Sequence, residues 1–207
     1  MNHVLRQWWK PWILACLAMN PVHAGDFDAV ADRVERTPVL RGTFMQEKAV
    51  EGFRNPLRST GRFIVAADRG VLWETVSPFP SQIVVSQDRI ASRQADGSLR
   101  VEAEASRQPG LAAINTTFFA LISGDFDALE ARFEGKVTVR PDGRWQLALT
   151  PKPGPLVRAL SALHVEGARF VEQVTLDDAQ GDHTHIEFAD FVVEPHALTE
   201  DEAARFD

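Results

Sequence analysis

The chain has 207 residues, 44% apolar and 25% charged, which is the composition of a folded globular protein and excludes a disordered one. Its 22 basic and 29 acidic residues give a net charge of −7 with no basic cluster, a poor basis for binding nucleic acid. A single cysteine excludes an internal disulfide and a four-cysteine zinc site.

Residues 1–24 read as an export signal. Arg6 and Lys10 form a positive start, and Pro11 to Met19 is an apolar core of about nine residues. Val22-His23-Ala24 offers small residues where signal peptidase reads, so the cut is expected before Gly25. The apolar run falls short of the about 20 residues that a membrane-spanning helix needs. A buried N-terminal helix and a lipoprotein signal lipidated at Cys16 are the alternatives. Cleavage leaves residues 25–207 as one cysteine-free mature domain, expected in a Gram-negative periplasm.

In the mature chain, Asp26 can cap a short helix with Phe27, Val30 and Val34 at helical spacing. Pro38 ends it, and period-two alternation follows. Leu40, Gly42, Phe44 and Gln46 share one strand face; Leu57, Ser59, Gly61, Phe63 and Val65 share the next. Val71, Trp73 and Thr75 begin a third strand, and residues 82–86 form a fourth. Ala95-Asp96-Gly97-Ser98 is a hairpin turn between strands at 89–93 and 99–103. Pro109 opens a helix whose apolar stripe is Leu111, Ile114, Phe118, Leu121 and Ile122, and Gly124 stops it. Residues 127–132 fit another helical turn. Strands resume at 133–139 and 145–150 around a turn at Pro141-Asp142-Gly143-Arg144. After the stiff break at residues 151–155, Leu156, Val157, Leu160 and Leu163 have the spacing of a short helix. Residues 165–170, 171–177 and 184–191 are the closing strands. Thr199-x-x-Glu202 is a capping-box pattern for a terminal helix. Nine or ten strands joined mostly by hairpins, with two or three helices, predict a mainly β fold of α+β type. Its sheet is antiparallel and strongly curved, with helices on the concave side.

Motifs of catalysis are absent from the sequence: there is no Gly-x-Ser-x-Gly elbow, phosphate loop or His-Glu-x-x-His pair. His183-x-His185, with Asp182 or Glu187, is a partial metal set without an evident third ligand nearby, so neither a metal nor a cofactor is expected. The rings are more informative. Phe44, Phe63 and Trp73 lie on early strands, Phe118 on the central helix and Trp145 on a later strand. Such faces either pack as core or enclose a dry cavity suited to an acyl chain.

Several segments, in order, resemble the LolA family of periplasmic lipoprotein carriers. These are Leu40-x-Gly42-x-Phe44-x-Gln46-x-Lys48, Gly61-x-Phe63, Trp73 with Pro78, and Ile83-Val84-Val85-Ser86. Farther on are Trp145-x-Leu147-x-Leu149-x-Pro151-Lys152, Val174-x-Leu176-Asp177 and Gly181-Asp182-x-Thr184-x-Ile186-x-Phe188. Gly70-Val71-Leu72-Trp73 and Pro78-Phe79-Pro80-Ser81 look more like a divergent branch found with aryl-polyene and lipid-pigment biosynthesis genes. The resemblance implies an incomplete antiparallel barrel with a helical lid over a hydrophobic cavity. It implies a carrier without covalent chemistry that takes acylated cargo from an inner-membrane exporter to an outer-membrane acceptor, with transient membrane contact. Phe44, Phe63, Trp73, Phe118 and Trp145 are the expected cavity lining, and Arg69 the expected latch of the lid. A monomer is expected, because a handover protein needs a free rim. The alternatives are an accessory hydrolase of lipid or aryl-polyene biosynthesis and a lipid-sensing regulator.

Overall fold

The computed structural model describes residues 27–207 apart from 95, 105, 106 and 108. The export signal and its cleavage site lie outside the described residues. Eleven strands form one antiparallel sheet. In chain order they are β1 (Val39–Ala49), β2 (Leu57–Ala66), β3 (Gly70–Ser77), β4 (Ser81–Val85), β5 (Arg89–Arg93) and β6 (Leu99–Glu104). After the central helices come β7 (Phe133–Val139), β8 (Trp145–Pro151), β9 (Leu160–Gly167), β10 (Val171–Asp178) and β11 (His183–Val192). The spatial order is β6-β5-β4-β3-β2-β1-β11-β10-β9-β8-β7. Each half of the chain is a meander, and β1 paired with β11 joins the halves from Arg41↔Val192 to Ala49↔His183. The sheet ends at β6 and β7 without closing, so the barrel is incomplete as expected.

The helices are α1 (Asp28–Ala31), α2 (Pro109–Ser123), α3 (Phe126–Glu130) and α4 (Glu200–Ala204), with a 3₁₀ turn at Pro155–Arg158. The helix α2 ends as its sequence dictates. Gly124 takes φ +68°, which favours glycine, and the Asp125 N–H reaches back to the Ala120 carbonyl at 2.8 Å. The Asp125 side chain then accepts from the Ala128 N–H and caps α3.

Two readings of the sequence are corrected. Among the described residues there are eleven strands where nine or ten are expected, and the strand read at 165–170 instead starts at Leu160 and ends at Gly167, with Ala168-Arg169 in the turn to β10. The helix read at 156–163 is only the 3₁₀ turn, followed directly by β9. Its apolar spacing arises from a register irregularity: Ala162 pairs with Asp177 but Leu160 with Asp178. The extra residue turns Leu160 to the same buried side as Leu163, which imitates a helical period.

The main core lies on one face of the sheet, under α1, α2 and α3, and includes Val30, Phe44, Leu129, Phe133, Trp145 and Leu163. A smaller core on the opposite face holds Val39, Ile64, Leu72, Val84 and Phe206, and so seats α4 on the outside of the sheet. A capping box starts α4, as the sequence predicts. Arg41 clamps it. Its Nε and Nη2 each donate to the Glu202 carboxylate at 2.7 Å, and its Nη1 and Nη2 donate to the carbonyls of Pro195 and Ala197 at 2.9 Å. These bonds hold the Glu202 carboxyl down to about 2, Arg41 being the largest cause. A carboxyl depressed in the fold contributes stability above its unfolded pKa, and that contribution is lost as pH falls from about 4.5 to about 2. Replacing Glu202 with Gln is therefore expected to lower unfolding free energy at pH 7 by roughly 1–3 kcal/mol. The gap between variant and parent should shrink towards pH 2 in denaturant titrations; a gap independent of pH would contradict this role.

Candidate functional site

A glycine faces a phenylalanine twice across the β1–β2 pair: Gly42 opposite Phe63, and Gly61 opposite Phe44. A Cβ on Gly61 would stand 2.7 Å from the Phe44 ring and 1.9 Å from the Glu74 carbonyl oxygen. A Cβ on Gly42 would meet the Phe63 ring at 2.7 Å. Each ring thus lies flat over a neighbouring backbone, which brings the aromatic residues together in a layer on the concave face. Phe44 stacks on Trp73 with centroids 3.8 Å apart. The edge of Trp73 meets Phe118 of α2 at 6.2 Å and Phe188 of β11 at 6.1 Å, and Phe63 meets Phe188 at 5.3 Å.

Beyond Phe118 and Phe188 the packing stops, and a cavity of about 560 Å³ opens between α2 and the sheet. Its roof is Ile114, Thr117, Phe118 and Leu121 of α2. Its walls are Leu160 and Leu163 of β9, Val174 and Leu176 of β10, and Ile186 and Phe188 of β11. Val85, Leu156 and Ala159 complete the apolar lining. Thr117 is buried, but its hydroxyl donates to the Ala113 carbonyl at 2.8 Å, so α2 turns no unpaired polar group inward there. Arg158, Asp178, Gln180 and Thr184 are the polar members of the lining, at one end. The side chains of Leu111 and Ile122, expected on the same stripe, lie outside the described residues.

The mouth is pinned by the loops around it. Lys48 pairs with Asp182 at 2.9 Å, and the Glu51 N–H donates to the same carboxylate at 3.0 Å, which ties the β1–β2 hairpin to the β10–β11 turn. The Lys48 hydrogen bond, above all, keeps the Asp182 carboxyl below its ordinary range. The Ala179 N–H donates to the Ala159 carbonyl at 3.3 Å, and Gln180 Nε2 to the Arg158 carbonyl at 3.4 Å. At the same end of the sheet the hairpin tips expose Phe53 and Phe79, 70% and 81% accessible.

Of the five expected lining residues, Phe118 faces the cavity. Phe44 and Trp73 form the layer behind it, and Phe63 borders a separate void of about 20 Å³ with Phe170 and Phe191. Trp145 is fully buried against Phe126 of α3, its indole N–H donating to the Ala168 carbonyl at 2.8 Å. Arg69 reaches α4: its Nη1 lies 3.3 Å from the Ala203 carbonyl and 3.4 Å from the Asp207 carboxylate. The arginine bonded to the end of α2 is Arg36, whose Nη2 donates to the Gly124 carbonyl at 3.0 Å. Sequence reasoning passed over Arg36 and the aliphatic wall. The alternation Val174-x-Leu176 and Thr184-x-Ile186-x-Phe188 carried the signal for the wall.

His183 and His185 stand on the outer face of β11, away from the cavity. His183 shares a 2.7 Å hydrogen bond with Asp177, which raises its imidazole pKa, and His185 contacts Thr175 at 2.9 Å. Among the described residues no three such ligands converge on a metal position.

Residues 19–186 match the family described as "Outer membrane lipoprotein carrier protein LolA-like". The chain belongs to this LolA-like family. Its members are in general periplasmic carriers that bind lipoproteins or lipids, and are not enzymes. No curated protein matches the chain by sequence. Among solved structures it is similar to a DUF1329 family protein from Desulfovibrio piger, with 12% identity, TM-score 0.48, and 87% of this chain and 95% of that one covered. It is also similar to a LolA superfamily protein from Nitrosomonas europaea, with 8% identity, TM-score 0.46, and 84% and 94% covered. A third similarity is to the MucA/MucB complex of Pseudomonas aeruginosa, with 18% identity, TM-score 0.43, and 84% and 56% covered. No helix among the described residues of this LolA-like chain is long and apolar enough to cross a membrane.

Replacing Gly61 with Ala drives a methyl group into the Glu74 backbone and the Phe44 ring. The expected result is a loss of about 1–3 kcal/mol in stability and a changed near-ultraviolet dichroism of Trp73. Unchanged melting and spectrum would mean that the layer does not depend on this close approach.

Proposed function

We propose that this LolA-like protein is a periplasmic carrier which shields the acyl part of a lipoprotein or lipid in the cavity beneath α2. On this reading it moves its cargo from an inner-membrane exporter towards an outer-membrane acceptor. The supporting observation is the unfilled apolar space itself. It lies within the range of about 300–1,000 Å³ usual for ligand sites, and its lining is mostly aliphatic and aromatic. Such a surface suits a chain that asks for contact and no hydrogen bonds. Each methylene buried contributes about 0.8 kcal/mol.

The helix α2 is the lid in this reading, and Arg36 its latch at the C-terminal end. A neutral hydrogen bond is worth about 1 kcal/mol net, and one from a charged donor about 1.5–3. Opening at Arg36 then costs no more than a few methylenes of cargo. Arg69, expected as the latch, is instead assigned to holding α4. Phe53 and Phe79 are exposed on hairpin tips at the same end of the sheet, where they would touch the membrane or protein that gives up the cargo. The protein works as a monomer, exported by a leader cut before Gly25.

Leu176→Arg would put a cation into the cavity wall at a half-buried position. The variant is expected to fold but to lose at least tenfold in affinity for an apolar fluorescent probe, measured by titration. Equal probe binding by parent and variant would remove this cavity from the function.

A further inference from the structure

The lining of the cavity is mostly apolar and, among the described residues, includes one cation, Arg158. Arg158 ends the 3₁₀ turn, its side chain exposed, and it lines the cavity beside Leu156, Ala159 and Leu160. Its backbone is held in place, since its carbonyl accepts from Gln180 Nε2 and the neighbouring Ala159 carbonyl accepts from the Ala179 N–H. Among the described residues nothing forms an ion pair or hydrogen bond with its guanidinium. By contrast, Arg41, Arg144, Arg169 and Arg205 are paired with Glu202, Glu172, Glu35 and Glu74. The acid at the same mouth is occupied differently. Asp178 Oδ1 accepts from the N–H groups of Gln180 and Asp182 at 2.8 and 2.9 Å, which bend the β10–β11 turn.

Size sets the second limit. At about 30 Å³ for a water-sized group, which is close to one methylene, 560 Å³ holds about 18 such groups. That is the size of one long acyl chain.

We propose that the cargo is a single-chain amphiphile with an anionic head, carboxylate or phosphate, whose chain fills the cavity while Arg158 binds the head at the mouth. The guanidinium fork matches either head in a bidentate way and requires no movement of the turn. This inference rests on the carrier reading and narrows it to a class of cargo.

The test is calorimetric titration of the mature protein, below micelle concentrations, with tetradecanoate, tetradecyl phosphate, tetradecanol and tetradecyltrimethylammonium. One molecule per protein is expected, with both anions bound about tenfold or more tighter than the alcohol. Arg158→Gln should abolish the advantage of the anions, Arg158→Lys should keep part of it, and Arg140→Gln, on the distant β7–β8 turn, should keep all of it. If carboxylate binds tighter than phosphate the head is a carboxylate, and the reverse order selects phosphate. Equal affinity for anions and alcohol would overturn the headgroup site and leave the carrier reading intact. Tighter binding of the ammonium would overturn it in favour of Asp178. Two or more chains per protein would overturn the single-chain limit. Failure of all four ligands to bind would overturn the carrier reading itself.

Discussion

The pairing of β1 with β11 is the contact on which the rest of the molecule depends. It joins residues 134 to 151 positions apart in the chain, from Ala49↔His183 to Arg41↔Val192, and makes one sheet from two meanders. Closing so long a loop costs entropy that only a continuous ladder and its packed faces offset. The join also builds the site. It brings Ile186 and Phe188, which come from the end of the chain, beside Phe44 and Trp73, which come from its start. One side of the seam is solid aromatic packing and the other is open aliphatic wall.

That contrast explains how a stable protein can keep an unfilled space. The aromatic layer, Trp145 under α3 and the α4 clamp on the outer face secure the sheet independently of α2's contents. Strands β9, β10 and β11, tied to each other by their ladders and to the β1–β2 hairpin through Lys48 and Asp182, hold the wall in shape. The roof is one helix, whose Ala120 and Leu121 are buried in the main core and whose end is bonded by Arg36.

Much of this fold was legible in the sequence. Period-two alternation located the strands, Gly124 and the Thr199-x-x-Glu202 box located helix ends, and the Gly-x-Phe motifs marked the paired strands that lie against each other's backbone. The site was less legible, for physical reasons. Aromatic residues attract attention as cavity lining, yet Phe44 and Trp73 are large enough to fill their space, and Trp145 needs its indole partner in the core. The open wall is made by Leu163, Val174, Leu176 and Ile186, residues that look like any strand core until α2 is seen to stand off from them. Arg36 and Arg69 show the same limit. Both precede or follow early strands, and only the three-dimensional path of the chain decides that Arg36 meets the end of α2 and Arg69 meets α4. The bulge that moves Leu160 into line with Leu163 belongs to strand pairing and has no mark in the local pattern.

The central claim is that the space under α2 is occupied in use. Native mass spectrometry of the protein, released gently from the periplasm of its own host and followed by organic extraction, tests it most directly. The expected result is a defined extra mass of one acylated molecule per protein, recovered in the organic phase. A bare protein mass, together with no uptake of apolar probes by the same sample, would contradict it.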